Sequence, residues 1–157
     1  MRLYIKQHVF TWGDRFSVYD EEGNERYYAE GEVFSFGKKL HLTDCAGKEV
    51  AYIHQEAFSF KPRYYISRGE QQLAEVVKEF SFFKQEYSIE GLGWVATGDF
   101  FDHEFEINDG DETVVRVFRE WFTFGDAYAI DIAPAVDEAI ALAVALVIDA
   151  VLDAGRN

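Results

Sequence analysis

Apolar and polar residues alternate along most of the chain, and the alternation returns in six similar stretches. Each stretch has alternating apolar residues, a short polar or glycine-containing break, and alternation again, which is the pattern of strand, tight turn and strand. The six stretches are FTWGDRFSV from Phe10, FSFGKKLHL from Phe34, FSFKPRYYI from Phe58, FSFFKQEYSI from Phe80, FFDHEFEI from Phe100 and FTFGDAYAI from Phe122. They begin 24, 24, 22, 20 and 22 residues apart. The pattern therefore predicts six hairpins, or twelve strands.

A second set of turn signals lies between these stretches. The segments DEEGNE, DCAGK, SRGEQ, EGLG and NDGDE contribute Gly23, Gly47, Gly69, Gly91 and Gly110. Because glycine tolerates the positive φ that tight hairpin turns need, these turns predict an antiparallel meander. The predicted strands are residues 2–11, 14–20, 25–36, 39–44, 48–60, 63–68, 72–83, 85–90, 93–101, 103–108, 112–124 and 126–132.

The pattern changes after Pro134, where the chain becomes rich in alanine and leucine and has no glycine before Gly155. This segment predicts a single helix over about residues 134–153. Pro134 suits the first helical position, Asp137 and Glu138 suit the N-terminal end of the helix dipole, and Gly155 is a C-terminal stop signal.

This apolar helix could be a membrane anchor or a buried core element. Its uncharged run, Ala139 to Ile148, has ten residues, fewer than the roughly 18 to 20 that a membrane span needs. Apolar residues surround the helix axis, which is typical of a buried helix. A barrel of twelve strands has a lumen about half as wide again as one of eight, enough for a helix about 10 Å across. We therefore expect no transmembrane span.

The predicted fold is mainly β: a closed antiparallel barrel of about 12 strands, built from six hairpin repeats, around a buried C-terminal hydrophobic helix. We expect residues 1–157 to form one domain, with strands over about 2–132 and the central helix over about 134–153. The length of 157 residues and the hydrophobic content of 48% fit a single domain with its own core.

Charge and cysteine content limit the possible partners and the compartment. The net charge of −14 disfavours nucleic acid, and anionic lipid would require a local basic patch. The single cysteine, Cys45, cannot form an intramolecular disulfide. The N-terminal sequence MRLYIKQHVFTW lacks the unbroken apolar region of a secretory signal. We expect a cytoplasmic protein, with peripheral membrane association as an alternative.

The chain resembles the LURP-one-related proteins, which look like the C-terminal domain of tubby proteins and are similar in fold to phospholipid scramblases. The resemblance extends from YIKQHVFTWGDRFSVYDEEGNERYYAEG, through the hairpin repeat, to DIAPAVDEAIALAVALVIDAVLD. It implies a tubby-like barrel but no catalytic residues. Tubby proteins bind phosphoinositide head groups through a basic site, and scramblases associate with membranes. This chain differs from both in its acidity, and the sequence given has no separate membrane segment after the barrel, so we do not expect scrambling activity.

Catalytic, metal and cofactor motifs give little support for an enzyme. The histidines, at positions 8, 41, 54 and 103, share no metal-ligand spacing, and Cys45 has no CxxC partner. His41 and Cys45 in HLTDC are interpreted as packing and solvated residues, GLGWVATG as a hairpin turn, and the acidic NDGDE around Asp109 as an ordinary turn. Phe34, Phe36 and the pair Phe58 and Phe60 are expected in the core. We expect no enzyme activity, catalytic residue, metal or cofactor.

One group of basic residues is a candidate anion-binding site. In the predicted meander, the breaks inside the six repeats lie at one end of the barrel, and three consecutive breaks carry the cations Lys38, Lys39, Lys61, Arg63 and Lys84. The opposite end collects acidic residues from the glycine turns: Asp20 to Glu22, Glu70, Glu90 and Asp109 to Glu112. The basic residues could bind a phosphorylated or other anionic group, or they could be solvated charges on hairpin tips.

Two classes of function follow. The first is a non-catalytic intracellular binding or scaffold domain with an unidentified protein partner, because a lumen filled by a helix leaves no deep pocket. The second is a peripheral membrane domain that recognises anionic phospholipid or phosphoinositide head groups. Salt distinguishes them, because electrostatic binding to lipid weakens as ionic strength rises.

Overall fold

A computed structural model describes residues 1–6, 15–32, 37–79, 85–100, 103–122 and 125–154 of the chain. It confirms twelve strands followed by one helix, all in the predicted order. The strands are β1 (Arg2–Ile5), β2 (Arg15–Tyr19), β3 (Glu25–Gly31), β4 (Lys39–Asp44), β5 (Glu49–Gln55), β6 (Arg63–Arg68), β7 (Gln71–Glu79), β8 (Glu86–Glu90), β9 (Trp94–Asp99), β10 (Glu104–Asp109), β11 (Glu112–Phe122) and β12 (Gly125–Ile132). The helix is α1 (Glu138–Ala154).

The strands form a closed antiparallel barrel. Each strand pairs with its neighbours in sequence, and β1 closes the ring by pairing with β12 from Arg2↔Asp131 to Ile5↔Tyr128. In this order the described breaks inside the repeats, such as residues 37–38 and 56–62, lie at one end of the barrel, called the repeat end. The glycine turns, such as residues 20–24 and 44–48, lie at the opposite end, called the glycine end.

Two turns at the glycine end show why glycine recurs there. In each, an aspartate side chain accepts hydrogen bonds from two backbone N–H groups of the turn: Asp20 at 3.0 and 2.8 Å, and Asp44 at 3.0 and 2.9 Å. Gly23 and Gly47 follow at φ of 85° and 84°, in the left-handed region that side chains disfavour. The shared Asp-x-x-Gly spacing thus sets the two turns through the same hydrogen bonds.

The helix fills the lumen. The inner positions of the strands alternate with outward positions, and they face α1 as a continuous apolar core. Ala141, Leu142, Ala143 and Val144 are each 0% exposed, although they point in different directions around the helix axis. The small alanines let strand side chains approach the helix closely. This confirms the predicted barrel around a buried hydrophobic helix.

The start of α1 differs from the prediction. Pro134 lies in a turn before the helix, and the helix begins at Glu138. Asp137 is the cap, because its Oδ1 accepts a hydrogen bond of 3.1 Å from the N–H of Ile140. Arg68 donates to both oxygens of the same carboxylate at 3.2 Å. The capping aspartate, held by a strand arginine, determines where the helix starts, and the proline signal does not.

The other end of α1 is tied to the repeat end. Asp149 Oδ1 lies 2.7 Å from Nδ1 of His103, whose side chain is 1% exposed. His103 has a φ of 57°, a conformation that non-glycine residues adopt rarely. No sequence pattern predicted this pair, because its members are 46 residues apart. The predicted stop signal, Gly155, lies outside the described residues.

The prediction for the end of the fifth strand was wrong. The strand ends at Gln55, where the sequence pattern predicted 60, and residues 56–62 form a loop. Phe58 and Phe60, expected in the core, are 88% and 91% exposed on this loop. The β5–β6 pairing ends at Gln55↔Tyr64. The residues that follow belong to no strand, so their alternating pattern does not direct apolar side chains into the core. The expectations for Phe34 and Phe36 fall outside the described residues.

Within the described residues, no helix combines the length and the apolar composition that crossing a membrane requires.

Candidate functional site

Four of the five predicted basic residues lie in the described part of the chain, at or beside the repeat end. The turn before β4 is joined to the end of β5, because Gln55 N donates to the Lys38 carbonyl at 2.8 Å and Lys38 N donates to Gln55 Oε1 at 3.3 Å. The loop after Gln55 carries Lys61 and leads into Arg63. The segments that carry Lys38, Lys39, Lys61 and Arg63 are therefore neighbours, while Lys84 lies outside the described residues.

Carboxylates neutralise much of the charge of this basic group. Lys61 Nζ lies 2.6 Å from Glu79 Oε2, and Arg63 Nη1 lies 2.7 Å from Glu75 Oε1. Lys39 Nζ is more loosely placed, 3.9 Å from Glu32 Oε2. The hydrogen bond from Lys61 holds the pKa of Glu79 below its ordinary value. An incoming anion would compete with bound carboxylates for Lys61 and Arg63.

The loop between β5 and β6 presents apolar surface beside these cations. We call residues 56–62 the aromatic loop. Its exposed phenylalanines, Phe58 and Phe60, precede Lys61 and Pro62 directly. Large exposed apolar side chains grouped on one loop are typical of a contact surface.

A ladder of rings crosses the outer face of three adjacent strands. His41 of β4, Tyr52 and His54 of β5, and Tyr65 of β6 follow one another with centroid separations of 4.8, 5.5 and 5.1 Å. The pairing His41↔Tyr52 and His54↔Tyr65 brings the rings side by side. The ladder was not predicted from the sequence, because it depends on strand register. The alternation of His and Tyr at outward positions was the available signal.

The ladder ends in a histidine between two carboxylates. His41 Nε2 lies 2.7 Å from Glu32 Oε1, and His41 Nδ1 contacts Glu49 Oε1. Burial acts to lower the pKa of His41, but the hydrogen bonds to Glu32 and Glu49 outweigh burial and raise it. His54 differs, because burial and the nearby charge of Lys39 lower its pKa. The arrangement around His41 stabilises a charged imidazolium.

The structure does not bring His41 and Cys45 together as a pair. Cys45 is exposed in the turn after β4, and His41 binds the two glutamates instead. Across the described part of the chain, no group of three histidine, cysteine, aspartate or glutamate side chains has a geometry that could hold a metal ion.

The architecture places the chain in a recognisable class: twelve antiparallel strands closed around a C-terminal hydrophobic helix. The family model described as LURP-one-related matches residues 1–149. The chain belongs to the LURP-one-related family.

Similar proteins agree with this assignment. The uncharacterised protein YxjI of Bacillus subtilis (strain 168) is 38% identical over 152 residues, which cover 97% of this chain and 94% of YxjI. An X-ray structure of a protein from Arabidopsis thaliana matches with a TM-score of 0.68 and 19% identity, covering 99% of this chain and 91% of the plant chain. At that identity the plant structure shows the fold alone.

Proposed function

We propose that this chain is a non-catalytic intracellular binding domain that takes its ligand on the outside of the barrel. The observation that carries the proposal is the filled lumen. Small-molecule and catalytic sites are usually concave pockets, whereas the middle of α1, represented by Val144 and Val147 at 0% exposure, occupies the place where a barrel would hold a ligand. The intracellular setting rests on the sequence alone.

The aromatic loop is the part of the outer surface that best fits a binding role. Phe58 and Phe60 are 88% and 91% exposed, and burying one phenylalanine side chain is worth roughly 1.5 to 3 kcal/mol. Aromatic residues are also enriched at the centres of protein interfaces. We expect a protein partner to cover this loop.

Site-specific photocrosslinking tests the proposal. A photoreactive phenylalanine analogue is placed at Phe58 or Phe60, and at Glu22 in a glycine-end turn as a control, in cells that make the protein. We expect a discrete protein adduct from position 58 or 60 and none from position 22. The same adducts from all three positions, or none from any, would contradict binding at this loop.

Recognition of phospholipid head groups is a second candidate, favoured by one observation. The exposed phenylalanines are followed directly by Lys61, and apolar side chains beside a cation suit the interface of an anionic membrane. The ion pairs of Lys61 and Arg63 with Glu79 and Glu75 work against this role. Any binding should therefore depend on the phenylalanines at least as much as on the charges.

Vesicle co-sedimentation tests the lipid candidate. Neutral, phosphatidylserine-containing and phosphoinositide-containing vesicles are compared at low and high salt. One variant carries Phe58→Ser and Phe60→Ser, and another replaces the basic residues by glutamine: Lys38, Lys39, Lys61, Arg63 and Lys84. Salt-sensitive binding to anionic vesicles that both variants weaken would support lipid recognition. Wild-type protein that stays in the supernatant with every vesicle would exclude it under these conditions.

A further inference from the structure

The ring ladder leads directly into a group of carboxylates on the outer face of β6, β7 and β8. Tyr65, the last ring, lies opposite Glu75 in the β6–β7 register, and Glu75 lies opposite Glu90 in the β7–β8 register. The hydroxyl of Tyr65 donates to Glu56 Oε2 at 3.0 Å, so the group also reaches the aromatic loop. We call Glu56, Glu75 and Glu90 the glutamate cluster.

One guanidinium serves all three carboxylates of the glutamate cluster. The nitrogens of Arg63 lie 2.7 Å from Glu75 and 3.6 Å from both other members. Within the described residues, the ion pairs of the cluster all involve this one side chain. The side chains of Glu56 and Glu90 are 42% and 53% exposed. Three carboxylates against one cation therefore leave an excess of negative charge at the surface.

The strand pairing at the cluster costs stability. Like charges directly opposite each other on neighbouring strands are destabilising, and Glu75 and Glu90 form such a pair. The hydrogen bond between the two side chains raises the pKa of Glu90 above its ordinary value, because adjacent carboxylates favour a shared proton. Proteins accept such local costs mainly at functional surfaces. A ligand that supplies positive charge would relieve the repulsion.

The ladder beside the cluster offers apolar surface with carboxylates at its other end too. Its four rings are each partly exposed on the outside of the barrel. His41 is held between Glu32 and Glu49, whose side chains are 41% and 44% exposed. Burial and the charges of these two glutamates raise the pKa of Tyr52, the next ring. The ladder is therefore a ridge of rings between two groups of carboxylates.

We propose that the ladder and the glutamate cluster together bind an extended, arginine-containing segment of a partner protein. The aliphatic stem of an arginine packs on ring surface while its planar guanidinium fits carboxylate oxygens. The ring separations of 4.8, 5.5 and 5.1 Å together match about four or five residues of extended peptide. The carboxylates oppose an anionic membrane on this face. The proposal rests on the proposed function and deepens it, since it names the chemistry of the protein partner beside the aromatic loop.

NMR titration of the isotope-labelled protein tests the site with two synthetic peptides. One is a seven-residue peptide with arginine at alternate positions and glycine or serine between them, and the other has glutamine in place of each arginine. The first variant combines Glu56→Gln with Glu90→Gln, and the second is Tyr52→Ser. The matched control combines Glu21→Gln with Glu22→Gln, which removes the same number of charges from an exposed turn at the glycine end. Thermal melting of each variant checks that the barrel is intact.

We expect saturable shifts of the amides around Tyr65 with the arginine peptide and little response to the glutamine peptide. The variant of the glutamate cluster should raise Kd about fivefold, the effect of losing two partly exposed charge pairs, and the control should stay within about twofold. Tyr52→Ser removes the second ring of the ladder and no charge. It should raise Kd about threefold at low and at high salt, because packing on a ring is not screened.

No saturable binding of the arginine peptide, or equal affinity for both peptides, would overturn the proposal. Equal losses in the cluster variant and in the glycine-end control would also overturn it, because the peptide would then respond to net charge alone. An unchanged Kd for Tyr52→Ser would exclude the ladder from the site. The crosslinking at Phe58 does not depend on these results. An adduct there without peptide binding would refute this site and leave the proposed function in place.

Discussion

The replacement of Leu142 by alanine tests how the helix is held. Leu142 lies in the first half of α1 and is 0% exposed. Leucine-to-alanine changes in cores cost about 2 to 5 kcal/mol, with the larger values where the surroundings cannot collapse into the cavity. A closed ring of hydrogen-bonded strands resists collapse, so we expect a loss near the upper end, about 4 kcal/mol. Alanine is the better helix former, so the loss reports on packing.

Urea and thermal unfolding followed by circular dichroism measure this loss. For a domain of this size, about 4 kcal/mol corresponds to a decrease in Tm of about 8 to 16 °C. Leu152→Ala is the control, because Leu152 is only partly buried near the end of α1, and we expect it to cost less than half as much. A change below about 1 kcal/mol for Leu142→Ala, or equal losses at both positions, would refute the tight enclosure of the helix.

Three further predictions concern the strands and the titrating groups. Gly98 has a φ of 149°, and a Cβ there would lie 2.7 Å from the backbone of β10, so Gly98→Ala should cost about 1 to 3 kcal/mol; unchanged urea unfolding would contradict this. Burial acts to raise the pKa of Asp137, but hydrogen bonds from Arg68 and the helix backbone outweigh burial and lower it below 3.8. Its stabilising effect is present above that pH and is lost as the pH falls through the folded pKa. Asp137→Ala should therefore cost about 1 kcal/mol at neutral pH, with a difference from wild type that shrinks in acid; a constant difference would show that the charge is irrelevant. NMR titration should place the midpoint of His41 above 6.5 and that of His54 below 6.5, so the contribution of His41 is present below pH 6.5 and is lost as the pH rises through its folded pKa. The reverse order of the two midpoints would contradict the ladder geometry.

The barrel and its helix could be predicted because their signals are local and repeated. Alternation of apolar residues defines strand faces, and a helix that is apolar on all sides has no stable place except in a core. Gly23 and Gly47 marked their turns correctly, since the positive φ they adopt is a property of single residues. These features need no knowledge of which strands pair.

The site could not be predicted in the same way, because it depends on pairing and register. The ion pair between Lys61 and Glu79 joins residues 18 positions apart, and the ladder from His41 to Tyr65 requires three strands in a fixed register. Phe58 shows that alternation alone does not define where a strand ends. The alternating pattern continues past Gln55, the last paired residue of β5, and Phe58 is nevertheless exposed.

Hydrogen exchange along α1, with and without anionic vesicles, tests most directly whether the lumen is permanently closed. If the helix is a fixed part of the core, its amides, including that of Leu142, should exchange only by global unfolding, as slowly as the slowest strand amides. Vesicles should leave this exchange unchanged, because the proposed binding surface lies on the outside of the barrel. Fast exchange of α1, or exchange that accelerates with vesicles while the strands stay protected, would mean that the helix leaves the barrel and that the lumen is the binding site.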